Sequence, residues 1–307
     1  MSKKRILITL AVMAVMLSLA AAPAMAQSEL DQSQPSIDGG WTMQEPDKQT
    51  FTAQKSGTLD QVTIYPRCFN CFTFVNLMFI VEIEGTQYNR AEFGPSRGDW
   101  SVLHYYLDPA PYVEAGKQYE IRISTFNDEY PGQNIELGGA FSDLYPGGDF
   151  YYWNGTDWSL PTASTTGDFH DIAFETYVTP DTTAPKVDVV NPEDPAQGTA
   201  GAARGTNVTA TFSERMAPDT LSTSTFKLFK VNKNGATSRI TNAPVRLSAD
   251  GLTARLNPFG SSDTLLNKST KYKAVVTSGA EDLAGNALDQ GPTTTGNQQK
   301  VWYFTTG

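Results

Sequence analysis

The chain has 307 residues and a formal net charge of −10 at pH 7. With 39% hydrophobic and 11% aromatic residues it can build packed cores, which excludes a disordered chain. Its acidity opposes the approach of phosphate backbones, so no nucleic acid is expected as a partner.

Residues 1–26 have the layout of a secretory signal peptide. Lys3, Lys4 and Arg5 form a basic start, Ile6 to Ala22 an apolar stretch, and Ala24-Met25-Ala26 a small-residue cleavage site. Removing this leader leaves 281 residues with 20 basic and 33 acidic side chains, a charge of −13. No later apolar run approaches the ~18 residues needed to cross a bilayer. The first cysteine is residue 68, far from the cleavage site, so no lipid-modified cysteine is expected. A secreted or extracellular protein, held at the cell surface non-covalently if at all, is the expectation.

From residue 27 onward the pattern is strand-like. Val62 and Ile64 alternate with Gln61, Thr63 and Tyr65. Leu77, Phe79, Val81 and Ile83 share a face opposite Glu82 and Glu84. Tyr119, Ile121 and Ile123 alternate with polar residues, as do Ile172, Phe174, Thr176 and Val178. A period of two with one polar face indicates antiparallel sheets packed face to face. Asn154-Gly155 has the chemistry of a tight type I′ hairpin turn, folding Tyr151 to Trp153 back onto Asp157 and Trp158. Short strands over about 150 residues predict a two-sheet, jelly-roll-like sandwich over 27–178.

Residues 179–185, Thr-Pro-Asp-Thr-Thr-Ala-Pro, read as a short stiff linker. The chain changes character across it. Residues 27–182 carry 7 basic and 23 acidic side chains, whereas 183–307 carry 13 and 10. The first segment also holds 26 of the aromatics and the second only 8. Ligand chemistry is therefore expected before the linker and scaffold after it.

Beyond the linker seven strands are predicted over 186–307. They begin at Val187 and Val189, then follow Val208 to Phe212, Phe226 and Leu228, Val245 and Leu247, Leu252 to Leu256, and Tyr272 to Val276. Val301, Tyr303 and Thr305 close the series. Met216 to Leu221 could form one helical turn. This count and size fit an immunoglobulin-like sandwich. The fold class expected for the whole is all-β, two tandem antiparallel β-sandwiches.

Six motifs here carry a family resemblance: Asp181-Thr-Thr-Ala-Pro185, Asn207-Val-Thr-Ala-Thr-Phe-Ser-Glu-Arg-Met216, Asp219-Thr-Leu221, Thr225-Phe226, Asp282-Leu-Ala-Gly-Asn286 and Trp302-Tyr-Phe-Thr-Thr306. Together they resemble the bacterial Ig-like domain of the S-layer (SbsA) type over 183–307. The resemblance implies an extracellular β-sandwich used as a spacer, and no catalytic residues. In Asp282 to Asn286 the Asp and Asn can bond local backbone while Gly285 takes a positive φ.

The first segment, through Gln49-Thr-Phe-Thr-Ala53, Gly57-Thr-Leu-Asp-Gln-Val62, Ala115-Gly-Lys-Gln-Tyr119, Tyr145-Pro-Gly-Gly148 with Tyr151, and Asp171-Ile-Ala-Phe-Glu-Thr-Tyr177, is similar to a jelly-roll-like module of secreted bacterial proteins. Its outline is like that of carbohydrate-binding modules, a likeness of fold rather than of site.

Three groups of residues could carry chemistry. Sugars stack on Trp or Tyr and bond their hydroxyls to Asp or Asn; Tyr151, Trp153, Asp157 and Trp158 supply both types, and Trp100 offers a second aromatic loop. Core and hairpin packing is the alternative for the same aromatics. Asp128 and Glu129, with Asp168 and Asp171, are oxygen donors of the kind calcium takes. The alternative for them is a dispersed acidic surface that keeps the protein soluble. Cys68 and Cys71 are the only cysteines, and in a secreted chain each has only the other to pair with. Zinc would find two ligands and no nearby histidine, and a redox role lacks its βαβ setting.

Catalysis has no spacing to support it. The two histidines, His104 and His170, sit on or beside strands, and no phosphate-cradling loop or HExxH motif is present. A non-enzymatic binding or adhesion protein is the leading expectation, with polysaccharide or cell-envelope components as partners. A purely structural envelope component and a polysaccharide hydrolase are the alternatives.

Overall fold

The computed structural model describes residues 27–44, 46–69, 78–91, 99–126, 134–161, 169–193, 201–260, 265–291 and 293–307. Residues 1–26, the expected leader, lie outside the described residues, as do Cys71, Leu77, Asp128, Glu129 and Asp168. The described residues are all-β and contain no helix.

The first unit runs through β1 (Glu29–Gln34), β2 (Gly39–Thr42), β3 (Asp47–Thr52), β4 (Gly57–Ile64), β5 (Pro66–Phe69), β6 (Met78–Ile83), β7 (Thr86–Ala91) and β8 (Leu103–Tyr106). It continues through β9 (Tyr112–Val113), β10 (Gln118–Phe126), β11 (Asn134–Ala140), β12 (Phe150–Trp153), β13 (Trp158–Ser159), β14 (Asp171–Ile172) and β15 (Phe174–Pro180). Two large sheets were expected; the strands instead form three hydrogen-bonded sheets. One has the order β1-β15-β4-β8, with β9 paired to β4. The second has the order β13-β12-β3-β10-β6-β7, and the third joins β14, β11 and β2, with β5 on β11. Every pairing among the described strands of this unit is antiparallel.

Alternation places the core as predicted. Val62, Ile64, Phe79, Val81, Ile83, Tyr119, Ile121, Ile123, Phe174 and Val178 are all buried in one cluster. Some inward positions are polar and satisfied. Gln49 Nε2 donates to Asp171 Oδ1 at 3.1 Å, and Gln49 Oε1 accepts from Ile172 N at 3.0 Å. Asp171 Oδ2 accepts from the backbone N–H groups of Leu144 and Tyr145 at 3.3 and 3.2 Å. This carboxylate closes a loop onto the core, and burial pushes its pKa up.

The second unit comprises β16 (Val187–Asn191), β17 (Val208–Phe212), β18 (Phe226–Val231), β19 (Thr237–Arg239), β20 (Val245–Leu247), β21 (Thr253–Leu256), β22 (Lys271–Val276) and β23 (Lys300–Thr305). They form two four-stranded sheets, β16-β17-β21-β20 and β19-β18-β22-β23. The eighth strand, β19, is exposed at all three positions and so carries no apolar alternation. Three other expectations are corrected. A register shift between Val187 and Val189 turns Val189 out to solvent, and Val190 packs on the core instead. Met216 to Leu221 forms successive turns, not a helix. In β23 the buried parity is Trp302 and Phe304, because these larger rings claim the core, while Tyr303 lies outward under Lys271 Nζ at 4.7 Å.

The β23 parity is testable by urea denaturation. Phe304→Ala is expected to cost about 3–5 kcal/mol through loss of a buried ring. Tyr303→Ala on the opposite face should cost under ~1 kcal/mol.

Candidate functional site

Two places outside the cores gather chemically capable side chains. The first is the outer face of the six-stranded sheet. Cross-strand pairing makes a row of Tyr151, Lys48, Arg122 and Glu82 across β12, β3, β10 and β6. The neighbouring row, Phe150, Gln49, Ile121 and Ile83, is buried, so Tyr151 and its partners face away from the core. Trp153 shares the parity of Tyr151, and Trp158 pairs with it across the hairpin.

The hairpin therefore forms, but with a longer turn than the two-residue one expected. Asn154 Oδ1 accepts from the N–H groups of Thr156 and Asp157, both at 2.9 Å, and Gly155 adopts φ +92°. The Asn side chain thus caps a four-residue loop, and Trp153 meets Trp158. Asp157 lies exposed in this loop and accepts from Trp158 N.

The two indoles meet edge to face at 5.6 Å, and both are half-buried. Lys48 Nζ stands 4.5 Å from the Trp158 ring centre and 5.1 Å from that of Tyr151, while donating to Glu120 Oε2 at 2.9 Å. Arg122 reaches Glu82 at 3.3 Å and also pairs with Glu120. Lys48 and Glu120 hold each other, and although partial burial pushes the Glu120 carboxyl up, the Lys48 and Arg122 cations hold it below its usual range. Tyr152 points to the other face, onto Trp41. Trp100 belongs elsewhere: it stacks on Arg67 at 4.3 Å and presses against Gly40 and Gly138 of β2 and β11. The structure thus brings together Tyr151, Trp153 and Trp158 and leaves Trp100 apart.

Cys68 is buried on β5 and is not a free thiol. His104 on β8 sits with Nδ1 at 3.0 Å from Thr63 Oγ1 and 3.2 Å from Gln61 Nε2.

The second place is the junction after β15, which residue-by-residue reading did not select. Here Asp181, Glu214 and Asp282 converge, with one carboxylate oxygen of each lying within 4.8 Å of the others. Each comes from a different quoted motif, and that was the available signal. Asp282 is buried. Its Oδ1 accepts from Ala284 N and Asn286 N, both at 2.8 Å, and Gly285 takes φ +84° as expected. Asn286 Nδ2 donates to Asp282 Oδ2 at 2.9 Å and to Asp181 O at 3.0 Å, which pins the linker to this loop. Ser56 Oγ donates to Leu283 O at 2.8 Å, and Glu114 pairs with Arg215 at 3.0 Å. Among the described residues no Lys or Arg pairs with any of the three acids. Burial and the two neighbouring carboxylates push Glu214 up to about 7. Hard, oxygen-seeking cations take this kind of donor set.

Residues 181–306 match the bacterial Ig-like domain family, so this segment is a bacterial Ig-like domain, as its six motifs implied. No curated protein matches the chain. Among solved structures, the chain is similar to the N-terminal part of the bacterial S-layer protein SbsC, with 21% identity over 41% of this chain and 24% of that one, at a TM-score of 0.28. It is also similar to SbsC domains 1–6, with 20% identity, 41% and 14% coverage and a TM-score of 0.28. For rSbsC(31-844) the figures are 21%, 39% and 13%, with a TM-score of 0.26. The match thus spans less than a quarter of each of these S-layer chains. No described helix is long and apolar enough to cross a membrane.

The carboxylate cluster predicts a pH response. Because the Glu214 pKa in the fold lies above its usual 4.5, the native state holds the extra proton. In chelator, stability is therefore greatest below about pH 4.5 on this account and falls as pH rises through about 7. Melting scans of the wild type and of Glu214→Gln should show that slope reduced in the variant.

Proposed function

We propose that the protein is a non-catalytic binding or adhesion protein of the bacterial surface or matrix. Its first unit recognises polysaccharide, and its Ig-like domain carries that unit. The supporting observation is the outward placement of Tyr151, Trp153 and Trp158 on one sheet face. Neither indole belongs to the core cluster, and Lys48 braces the Trp158 ring while its own charge is met by Glu120. Rings held this way lose little freedom when a sugar stacks on them. The carboxylates around them supply hydroxyl partners. The Ig-like segment supports a place outside the cell.

We also propose calcium as a structural ion at Asp181, Glu214 and Asp282 instead of at the acids first singled out. The single described member of that earlier set, Asp171, already accepts three hydrogen bonds. A disulfide between Cys68 and Cys71 completes the reading.

Binding is tested by polysaccharide pull-down with the mature chain. Trp158→Ala and Trp153→Ala should each weaken retention by about tenfold, the scale of one lost stacking contact. Unchanged retention would remove the platform, and turnover of any polysaccharide would overturn the non-catalytic reading. Calcium at a hundred times its Kd should stabilise the fold by about 2.7 kcal/mol, and Glu214→Gln should diminish that gain.

A further inference from the structure

The Ig-like domain also carries an uncompensated pair of like charges. In the sheet β16-β17-β21-β20, pairing aligns Asn191, Thr209, Arg255 and Arg246 in one cross-strand row. Val208, Ala210, Ala254 and Leu256 on the other parity are buried, so this row faces outward. Arg246 and Arg255 are directly opposite each other on neighbouring strands, and both are exposed. Like charges in that position destabilise a sheet.

Nothing among the described residues offsets the cost. Neither arginine is in an ion pair. Arg255 donates through Nη2 and Nε to Asn207 Oδ1 at 2.6 and 3.2 Å, with the Asn207 amide turned to present its oxygen. That bond fixes the guanidinium without neutralising it. The acid nearest along the β20–β21 hairpin, Asp250, is held by Ser248 Oγ and by Leu252 N. Between the arginines lies an open pocket of roughly 270 Å³, lined by Pro244, Arg246, Arg255, Asn257 and Gly260.

We propose that this pocket binds the carboxylate of an acidic polysaccharide, a uronic-acid polymer, with Arg246 and Arg255 sharing the oxyanion. Opposed residues of an antiparallel pair stand about 4.5–5.5 Å apart at Cα, so one carboxylate can reach both guanidinia. From the pocket the row continues through the neutral hydrogen-bonding side chains of Thr209 and Asn191, which suit hydroxyls and not further charges. The pocket has room for one anionic sugar, not for a folded partner. This site is separate from the aromatic platform and does not rest on it.

The test is retention of the full mature chain on immobilised polygalacturonate, with a neutral glucan as the parallel matrix. The wild type should bind polygalacturonate in a salt-sensitive manner. Arg246→Gln with Arg255→Gln should lose about tenfold or more, given the strength of charge-assisted hydrogen bonds. Lys233→Gln, which removes one charge from an exposed turn, should retain binding. Arg246→Gln alone should also weaken retention and, because it removes the repulsion, should melt no lower than the wild type, so its loss of binding would not reflect loss of fold. Polygalacturonate retention equal in the double variant and the wild type, or absent in both, would overturn the proposal. So would self-association of the wild type in sedimentation that Arg246→Gln abolishes, since the occupant would then be a second copy.

Discussion

The two-residue alternation of the strands governs the rest of this molecule. On β3, Asp47, Gln49 and Phe51 turn inward, so Lys48 must turn outward, where it meets Tyr151 and Trp158. On β21, burial of Ala254 and Leu256 leaves Arg255 no place but the surface, opposite Arg246. Outward positions are thus set by their inward neighbours, and both surface sites are by-products of how the cores are filled. A one-residue slip in either strand would dismantle core and site together.

The junction works differently. It is built from loops and held by polar contacts: Asn286 to the linker carbonyl, Ser56 to the Asp282–Asn286 loop, Glu114 to Arg215. Three carboxylates are gathered where no described cation answers them, so the linker is anchored and electrostatically strained at one point. The composition of residues 179–185 is that of a stiff spacer, and its first two residues, Thr179 and Pro180, complete β15. Its attachment comes equally from Asp181, whose backbone carbonyl receives Asn286 Nδ2 and whose carboxylate accepts from Tyr112 at 3.3 Å.

Much of this was legible in the amino-acid order, and the exceptions have physical causes. Strands with one apolar parity, such as Tyr119 to Ile123 or Val208 to Phe212, were readable because only one register buries them. Where both parities are apolar, as from Val301 to Phe304, alternation is ambiguous and ring size decides. Where neither is, as in β19, there is no signal. The bulge beside Val189 depends on pairing with Thr211, which lies in another strand. The aromatic hairpin could be found because its members are close in sequence. Asp181, Glu214 and Asp282 are far apart and meet only through the fold, although each lies in a motif that marked its loop. The opposition of Arg246 and Arg255 is a fact of register, invisible before the strands are paired.

The closing of the first sheet orders the events of folding. β1, at the start of the described chain, finds its ladder partner in β15, the last strand before the linker, with Glu29 opposite Val178 and Gln34 opposite Phe174. Long-range pairings of this kind carry their entropic cost before any reward arrives. The leading strand therefore waits, unzipped, until nearly the whole unit is available and β15 can be reached. A polypeptide arranged so that its two ends must meet stays slack until the last of its strands arrives.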